Sequence, residues 1–232
     1  RVLGEMGDSK AVEPLIDVLK HDKNGSVRLY AARALGELGD SKATTHLIES
    51  LREDRNVDVR VRAARALGRL GGAIVVEPLV EALNDENPQV CITATDALIE
   101  IGDVATDALI ESLDHEKVNV RCDATRALGE IGNKKAVDKV INMLYDEWVN
   151  VRIYAVTSLG KLNDTKAVPA LIDVMKNRNE NELVRAGAAA ALGVLRDQRA
   201  LLPLRELIME AEELGELEDT ALKSFKKIMA AN

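Results

Sequence analysis

The stretch NGSVRLYAARALGELGD at residues 24–40 returns one period later as NVDVRVRAARALGRLGG at residues 56–72. Two landmarks of this stretch, a Val-Arg pair and a glycine after it, recur along the chain at steps of 30 to 33 residues. The arginine position is occupied in turn by Arg28, Arg60, Cys91, Arg121, Arg152 and Arg185, and the glycine position by Gly36, Gly68, Ile99, Gly129, Gly160 and Gly193. A period of this size predicts a stack of repeated supersecondary units.

Each period contains the pattern of two amphipathic helices, called helix A and helix B here. In the first helix A, residues 11–20, the apolar residues are spaced i, i+3, i+4 and i+7 and so share one face. They are Val12, Leu15, Ile16 and Leu19. In the first helix B, residues 25–38, the corresponding residues are Val27, Ala31, Ala34, Leu35 and Leu38. Neither helix can bury its apolar face alone, so we expect neighbouring repeats to stack and share a continuous core.

Capping residues and glycines mark the helix ends. Each helix A is predicted to begin at a residue that caps it with a side-chain oxygen, with one glycine as the exception. These positions are Asp8, Asp40, Gly72, Asp103, Asn133, Asp164 and Asp197. The residue before each is Gly or Asn, which tolerate the left-handed conformation that ends a helix, except for Arg196. Helix B is predicted to begin at Asn24, Asn56, Asn87 and Asn181, whereas Lys117 and Trp148 replace the capping residue in two repeats.

These boundaries predict a single all-α domain over residues 1–232, an α-α superhelix (a HEAT/armadillo-like solenoid) of about seven two-helix repeats. Residues 1–6 are expected to be the remnant of a preceding helix B, and residues 8–196 to form six A/B repeats. Residues 197–232 are expected to be a terminal repeat, with a C-terminal cap over residues 214–232. Because the chain begins with Arg1 rather than Met, we expect the natural protein to continue upstream.

The composition limits the classes of partner. The net charge is −8 and only 2% of residues are aromatic, which argues against a nucleic-acid-binding surface because phosphate binding needs clustered cations. No apolar run approaches the ~20 residues that span a membrane, so no membrane partner is predicted. Cys91 and Cys122 form no CxxC pair, which favours a reducing, cytoplasmic location.

The repeat resembles the HEAT-like repeat of the phycobilin-lyase type. Its signature, Val-Arg followed by Ala, then Ala-Leu-Gly, Gly-Asp and a helix-A Pro-Leu, is matched closely by residues 27–40 and 120–132, and the helix-A proline by Pro14, Pro78 and Pro203. The resemblance covers the whole chain and implies a solenoid in which helix B lines the concave surface. It does not specify one function, because such repeats are found in scaffolds and in chromophore lyases.

The residues present in nearly every repeat are interpreted as structural. The recurring arginine is expected to pair with an acid of a neighbouring helix or turn, such as Asp22, Asp54 or Asp146, although an anion-binding ladder is the alternative. Cys91 at that position predicts that the row of recurring arginines is interrupted in the third repeat. The recurring glycine of helix B is expected to permit close contact between helices, and Ile99 in its place predicts a local change of spacing.

The residues that vary between repeats are better candidates for function. On helix B, three such positions per repeat lie at i, i+3 and i+7 and share a face, and Arg62, Arg65 and Arg69 place three cations there. One interpretation is a salt-bridge network with Glu37, Asp96 and Glu100. The other is a basic patch that binds an acidic segment of a partner protein, with aromatic anchors beside it. The candidate partner-binding residues are Tyr30, Arg33, Arg62, Arg65, Arg69, Asp96, Glu100, Arg126 and Tyr154, and the exposed or buried state of Trp148 is left open.

Enzyme classes fit the residues poorly, and no catalytic, metal or cofactor site is predicted. His21, His46 and His115 lie in different repeats without metal-ligand spacing. A di-iron centre of the deoxyhypusine hydroxylase type would need repeated His-Glu pairs, and only His115-Glu116 is present. HEAT-like DNA glycosylases use basic, aromatic-rich concave faces, and the net charge of −8 with 2% aromatic residues argues against that class. The main hypothesis is therefore a non-enzymatic scaffold or adaptor that binds a protein or peptide. The alternatives are a bilin-lyase-like enzyme, favoured by an apolar, ligand-sized pocket with convergent polar groups, and a structural spacer.

Overall fold

The computed structural model describes residues 9–210 and 215–231, and every regular element within these ranges is helical. This confirms the all-α prediction. Helix A of successive repeats is α1 (Val12–His21), α3 (Thr44–Glu53), α5 (Val76–Glu81), α7 (Thr106–Ser112), α9 (Val137–Asn142), α11 (Val168–Lys176) and α13 (Leu201–Glu210). Helix B is α2 (Gly25–Leu38), α4 (Val57–Leu70), α6 (Pro88–Ile101), α8 (Val118–Ile131), α10 (Val149–Leu162), α12 (Glu182–Leu195) and α14 (Glu216–Met229).

Each helix A is preceded by a short 3-10 turn, which the sequence pattern did not predict. In the second repeat the turn is Ser41–Ala43, and the Asp40 carboxylate accepts the Lys42 backbone N–H at 2.9 Å. Asn133, Asp164 and Asp197 cap the equivalent turns in the same way. These four predicted capping residues are therefore correct, but they cap the 3-10 turn that leads into the α-helix. Asp103 differs from the prediction, because it lies inside its turn, Gly102–Ala105, rather than before it.

The predicted starts of helix B are confirmed. The side chains of Asn24, Asn56, Asn87 and Asn181 each accept the backbone N–H two residues later, at 2.8 to 2.9 Å. Lys117 and Trp148 make no side-chain capping bond, as expected. Because a cap satisfies one of the free N–H groups at a helix start, four of these helices have a locally fixed first turn.

The left-handed conformation at the end of helix B is adopted even by Arg196, the residue that departs from the Gly or Asn pattern. Gly39 and Gly132 have φ of 68° and 77°, and Asn163 has φ of 50°. Arg196, which breaks the sequence pattern, still adopts φ of 52° at the end of α12. The repeat geometry therefore imposes this conformation on a residue that adopts it with strain.

The chain divides into two compact units, residues 1–112 and residues 113–232. Unit 1 contains α1 to α7 and unit 2 contains α8 to α14. Within each unit, successive B helices pack against one another, and the A helices pack on them as a second layer. The boundary falls inside the fourth repeat, shortly after the repeat that carries Cys91 and Ile99 in place of arginine and glycine. That residues 1–232 form one solenoid domain stays a prediction.

Small and branched apolar side chains fill the core of each unit. The predicted helix-A face is confirmed, because Val12, Leu15, Ile16 and Leu19 are all buried. The predicted helix-B face is partly wrong, since Val27 is 38% exposed and Leu38 is only half-buried. Helix B instead also buries Arg28 and Ala32, because it contacts both its own helix A and the next helix B.

The recurring arginine is structural, as predicted. Arg28 donates two hydrogen bonds to the Asp54 carboxylate, both at 2.7 Å, and a third to the Asp22 backbone carbonyl at 2.9 Å. Arg60 binds Asp85 in the same bidentate way, at 2.9 Å. In unit 2, Arg121 pairs with Asp146 and Arg152 with Glu180. Where Cys91 replaces the recurring arginine, its thiol donates to the Asp85 backbone carbonyl at 3.3 Å.

The recurring glycine permits close helix contact, also as predicted. A Cβ atom at Gly36 would lie 2.7 Å from the Ala66 Cβ and 2.9 Å from its Cα. The same holds for Gly68 against Ala97, at 2.8 and 2.9 Å. Helix B of one repeat thus rests against the backbone of the next, and a side chain at these positions would push the two helices apart.

The terminal helix α14 packs one face on unit 2. Its buried residues are Leu217, Ala221, Ser224 and Ile228, while Lys223, Lys226 and Lys227 are exposed. This fits a terminal repeat with a polar outer face. Met229 on the same helix is 54% exposed. The predicted helix remnant at residues 1–6 and the Asp8 cap lie outside the described residues.

Candidate functional site

The variable helix-B positions of unit 1 form a mostly exposed surface. Tyr30 on α2 is 51% exposed, and Arg65 and Arg69 on α4 are exposed. Asp96 and Glu100 on α6 are exposed as well. Thr93, which occupies one of these variable positions on α6, is instead buried at 3% exposure, and its hydroxyl donates to the Gln89 backbone carbonyl at 2.8 Å.

Four arginines of this surface surround one pocket, called the arginine pocket here. Its volume is about 240 Å³, and it lies between α2 and α4. The lining residues are Arg33, Gly36, Glu37, Arg62, Arg65, Ala66 and Arg69. Gly36 and Ala66, where the two helices make close contact, line the pocket together with the arginines.

The lining side chains carry four positive charges and one negative charge. The negative charge belongs to Glu37, which accepts a hydrogen bond from Arg33 Nε at 2.7 Å. No carboxylate in the described part of the chain forms an ion pair with Arg62, Arg65 or Arg69. The structure therefore does not show the salt-bridge network that was one of the two interpretations.

The acidic residues of the next helix lie outside the arginine pocket. Neither Asp96 nor Glu100 lines it. The Glu100 carboxylate instead approaches Gly68, with Oε2 3.4 Å from the place where a Cβ would stand. Both acidic residues therefore lie on the neighbouring helix and not among the residues that line the arginine pocket.

The remaining candidate residues belong to unit 2. Tyr154 is 38% exposed on α10, and Arg126 is half-buried on α8. Neither lines a pocket described here. Two further aromatic residues are exposed in the turn before α10, Trp148 at 53% and Tyr145 at 64%. The exposure of Trp148 resolves the alternative that the sequence left open.

Unit 2 contains a second feature on the same helix-B positions, an apolar groove of about 810 Å³. Gly187, Ala190 and Val194 of α12 stand where the first repeat has Tyr30, Arg33 and Glu37, so the space left by small side chains becomes the groove. Its remaining lining residues include Val156, Gly160 and Ala191, and the cations Lys161, Arg196 and Lys227. Lys161 pairs with Glu130 of α8. The run of small residues in α12 was the sequence signal for this groove.

The described residues offer little for catalysis. His21 and His46 contact the nearby carboxylates of Asp17 and Glu49, and His115 Nδ1 accepts the Lys117 backbone N–H. Burial raises the pKa of the Cys122 thiol to about 11, which leaves it a poor nucleophile at neutral pH. Within residues 9–210 and 215–231, no three His, Cys, Asp or Glu side chains cluster as a metal site. No helix in these ranges is both long and apolar enough to span a membrane.

Comparison with protein families matches the HEAT-repeat model in five overlapping segments: residues 1–56, 44–116, 76–149, 106–179 and 137–224. Together the segments cover nearly the whole chain, so this chain belongs to the HEAT-repeat family. The HEAT-like repeat that the sequence pattern predicts is thereby confirmed. No curated protein sequence matches the chain.

Solved structures show the same fold. The Escherichia coli protein YibA is 24% identical with a TM-score of 0.55, over 97% of this chain and 85% of that one. An engineered protein is 19% identical with a TM-score of 0.51, over 94% and 68% of the two chains. The CpcE–CpcF complex of phycocyanin lyase from a Nostoc species is 23% identical with a TM-score of 0.49, over 94% of both chains. At these identities the likeness shows the fold alone.

Proposed function

We propose that this HEAT-repeat scaffold is non-enzymatic and binds a segment of a partner protein on the helix-B surface of unit 1. The observation that supports the proposal is the arginine pocket, with Arg62, Arg65 and Arg69 unpaired in the described part of the chain. Tyr30 on the neighbouring helix is half-exposed and is of the residue type enriched at binding hot spots. Asp96 and Glu100 would set the register of the bound segment by repelling its acidic residues.

Charge complementarity favours an acidic segment. Arg side chains bind carboxylates with two parallel hydrogen bonds, which gives direction as well as attraction. A HEAT-repeat scaffold presents such a row of side chains from several repeats at once, and this suits an extended peptide better than a compact ligand. We further propose that the protein acts in the cytoplasm, where cysteines such as Cys91 and Cys122 stay reduced.

The test is affinity capture from an extract of the source organism. One bait is the native chain, and a second carries Arg62→Glu, Arg65→Glu and Arg69→Glu. The matched control carries Lys20→Glu, Lys23→Glu and Arg55→Glu, which reverses three exposed cations of unit 1 away from the pocket and changes the net charge equally. A protein retained by the native and control chains, but lost with the pocket variant, supports the proposal. Equal retention by all three folded chains contradicts it.

A second candidate function, binding or modification of a small molecule in the manner of a bilin lyase, is favoured by the apolar groove of unit 2. Its volume of about 810 Å³ lies within the ~300–1,000 Å³ of typical ligand pockets. The charged groups at the groove are all cations, beside the neutral polar side chains of Thr157 and Asn163, and they suit binding of an anionic group better than acid–base catalysis. Native mass spectrometry of the purified chain tests this candidate. A small molecule bound to the native chain and absent from Ala190→Trp, which fills the groove, would favour it over the scaffold.

A further inference from the structure

We infer that the arginine pocket binds a phosphoryl group on the partner protein, so that phosphorylation of the partner controls its binding. The inference rests on the proposed function, because it names the chemical group that the same surface recognises. It goes further by assigning a regulatory signal to the interaction.

The charge of the pocket favours a doubly charged anion over a carboxylate. After the Arg33–Glu37 pair is set aside, three guanidinium groups remain without an ion pair among the described residues. A carboxylate supplies one negative charge and neutralises one of them. A phosphoryl group on serine or threonine carries about −1.5 to −2 at neutral pH and three strong acceptor oxygens, so it can bind more than one arginine.

The size of the pocket favours a single charged group rather than a whole ligand. Its volume of about 240 Å³ is below the ~300–1,000 Å³ usual for pockets that enclose complete small molecules. Arg62 is half-buried at its wall, so the site is partly shielded from water and a bound anion is less screened than on an open surface. The planar guanidinium fork matches phosphoryl oxygens in geometry.

The spacing of the arginines causes electrostatic repulsion along α4, which a bound anion would relieve. Arg62 and Arg65 lie at i, i+3 and Arg65 and Arg69 at i, i+4, so each pair of like charges is adjacent on α4. Unpaired like charges at these spacings destabilise a helix. A site that is unfavourable when empty and favourable when occupied is typical of binding, whereas a structural cluster would contain its own counterions.

The surroundings favour a protein-borne phosphoryl group over a nucleic acid. Asp96 and Glu100 are exposed on the next helix, and the chain as a whole carries a charge of −8. A polyanion would bring further phosphates against these carboxylates, whereas one phosphorylated side chain reaches the pocket alone. Tyr30 offers an adjacent contact for the peptide that carries it.

The first experiment measures thermal unfolding of the full chain in chloride, phosphate and formate at equal ionic strength. Three chains are compared: native, Arg65→Gln with Arg69→Gln, and the matched control Arg55→Gln, an exposed arginine in the turn before α4. We expect millimolar phosphate to raise Tm of the native and control chains by several degrees, because a ligand that binds only the folded state stabilises it. In chloride, the double variant should have a Tm equal to or above the native value, and phosphate should leave it unchanged.

The second experiment uses immobilised degenerate peptide libraries that differ only at the central residue, which is phosphoserine, glutamate or serine. We expect binding to the phosphoserine library to be at least about tenfold stronger than to the glutamate library, since the second charge and third oxygen add contacts. The Arg65→Gln, Arg69→Gln chain should lose this difference, and Arg55→Gln should keep it.

Three results would overturn the inference. Stabilisation by phosphate that is equal in all three chains, or matched by formate, would show no phosphoryl-selective pocket. Equal binding of the glutamate and phosphoserine libraries would leave the partner-binding function intact but remove its dependence on phosphorylation. Binding of single-stranded nucleic acid through the same arginines, with no peptide bound, would assign the phosphoryl group to another source. The capture experiment decides the proposed function separately, because it does not depend on the kind of anion.

Discussion

At the scale of single residues, arginine occurs in two environments according to its place on helix B. Arg28 and Arg60 are buried and bind carboxylates of the next repeat, Arg28 that of Asp54 and Arg60 those of Asp85 and Glu86. Arg65 and Arg69 are exposed and have no ion pair in the described part of the chain. The sequence distinguishes the two kinds by recurrence, because a residue required by packing returns in nearly every repeat whereas a residue used for binding does not.

The contribution of the Asp54 carboxylate to the free energy of unfolding should depend on pH. Burial by itself raises its pKa, but hydrogen bonds from Arg28 and from the Asn56 backbone N–H outweigh burial and hold the pKa below its ordinary value. A carboxylate with a lowered pKa stabilises the fold above its unfolded pKa of about 3.9, and this contribution disappears as the pH falls through the folded pKa. Asp54→Asn should therefore lower the free energy of unfolding by about 3 kcal/mol at pH 7, because it leaves Arg28 buried without a counterion.

The difference between native and Asp54→Asn chains should shrink as the pH falls below about 4, which urea unfolding at several pH values would measure. The exposed Asp58 in the first turn of α4 provides the control, since Asp58→Asn should cost less than about 1 kcal/mol. A loss in Asp54→Asn that is constant across the acid range would contradict the role of this ion pair.

At the scale of helices, the distance between neighbouring B helices differs from repeat to repeat. It predicts that a Gly→Ala substitution lowers stability in one repeat but not in another. Gly36→Ala places a Cβ 2.9 Å from the Ala66 backbone, so overpacking of about 1–3 kcal/mol should exceed the gain in helix propensity of about 1 kcal/mol. Gly160→Ala meets Ala191 at 3.5 Å, an ordinary contact, so only the propensity gain remains. Denaturant unfolding should show Gly36→Ala destabilised and Gly160→Ala neutral or stabilised. Equal effects of the two changes would refute the difference in helix spacing.

The start of α12 gives a second prediction at this scale. Asn181→Ala removes the side-chain bond to the Leu183 backbone N–H, which is 2.9 Å long, and should cost about 1 kcal/mol. Asn150→Ala, on the exposed second position of α10, removes no described cap and should be neutral or stabilising by up to about 0.7 kcal/mol. Thermal unfolding of both variants tests the pair, and a similar loss in each would mean that Asn181 does not act through capping.

At the scale of the whole molecule, the charge balance predicts that duplex DNA does not bind. The net charge is −8, and the unpaired cations of the arginine pocket are flanked by Asp96 and Glu100. Electrostatic binding to DNA requires several phosphate contacts at once and weakens steeply with salt. Fluorescence anisotropy of a labelled duplex should show no binding at about 0.15 M salt. Binding at this ionic strength that is lost in the Arg65→Gln, Arg69→Gln chain would reverse this prediction.

The sequence by itself determined the repeat, the two helices of each period, most of their first and last residues, and the structural role of Arg28 and its equivalents. These features depend on interactions within one repeat or on residues that every repeat shares, so a periodic pattern records them. The sequence also placed Arg62, Arg65 and Arg69 on one face, because that follows from helix geometry alone.

Only the tertiary structure decided what those residues face. It showed that the three arginines lack the expected ion pairs in the described part of the chain, that Thr93 is buried, and that small residues of α12 leave an apolar groove. It also assigned Gly36 and Gly160 different distances to the next helix, although both occupy the same repeat position. The physical reason is that a pocket or a contact between repeats depends on distances of a few ångströms between helices, which helical periodicity does not specify.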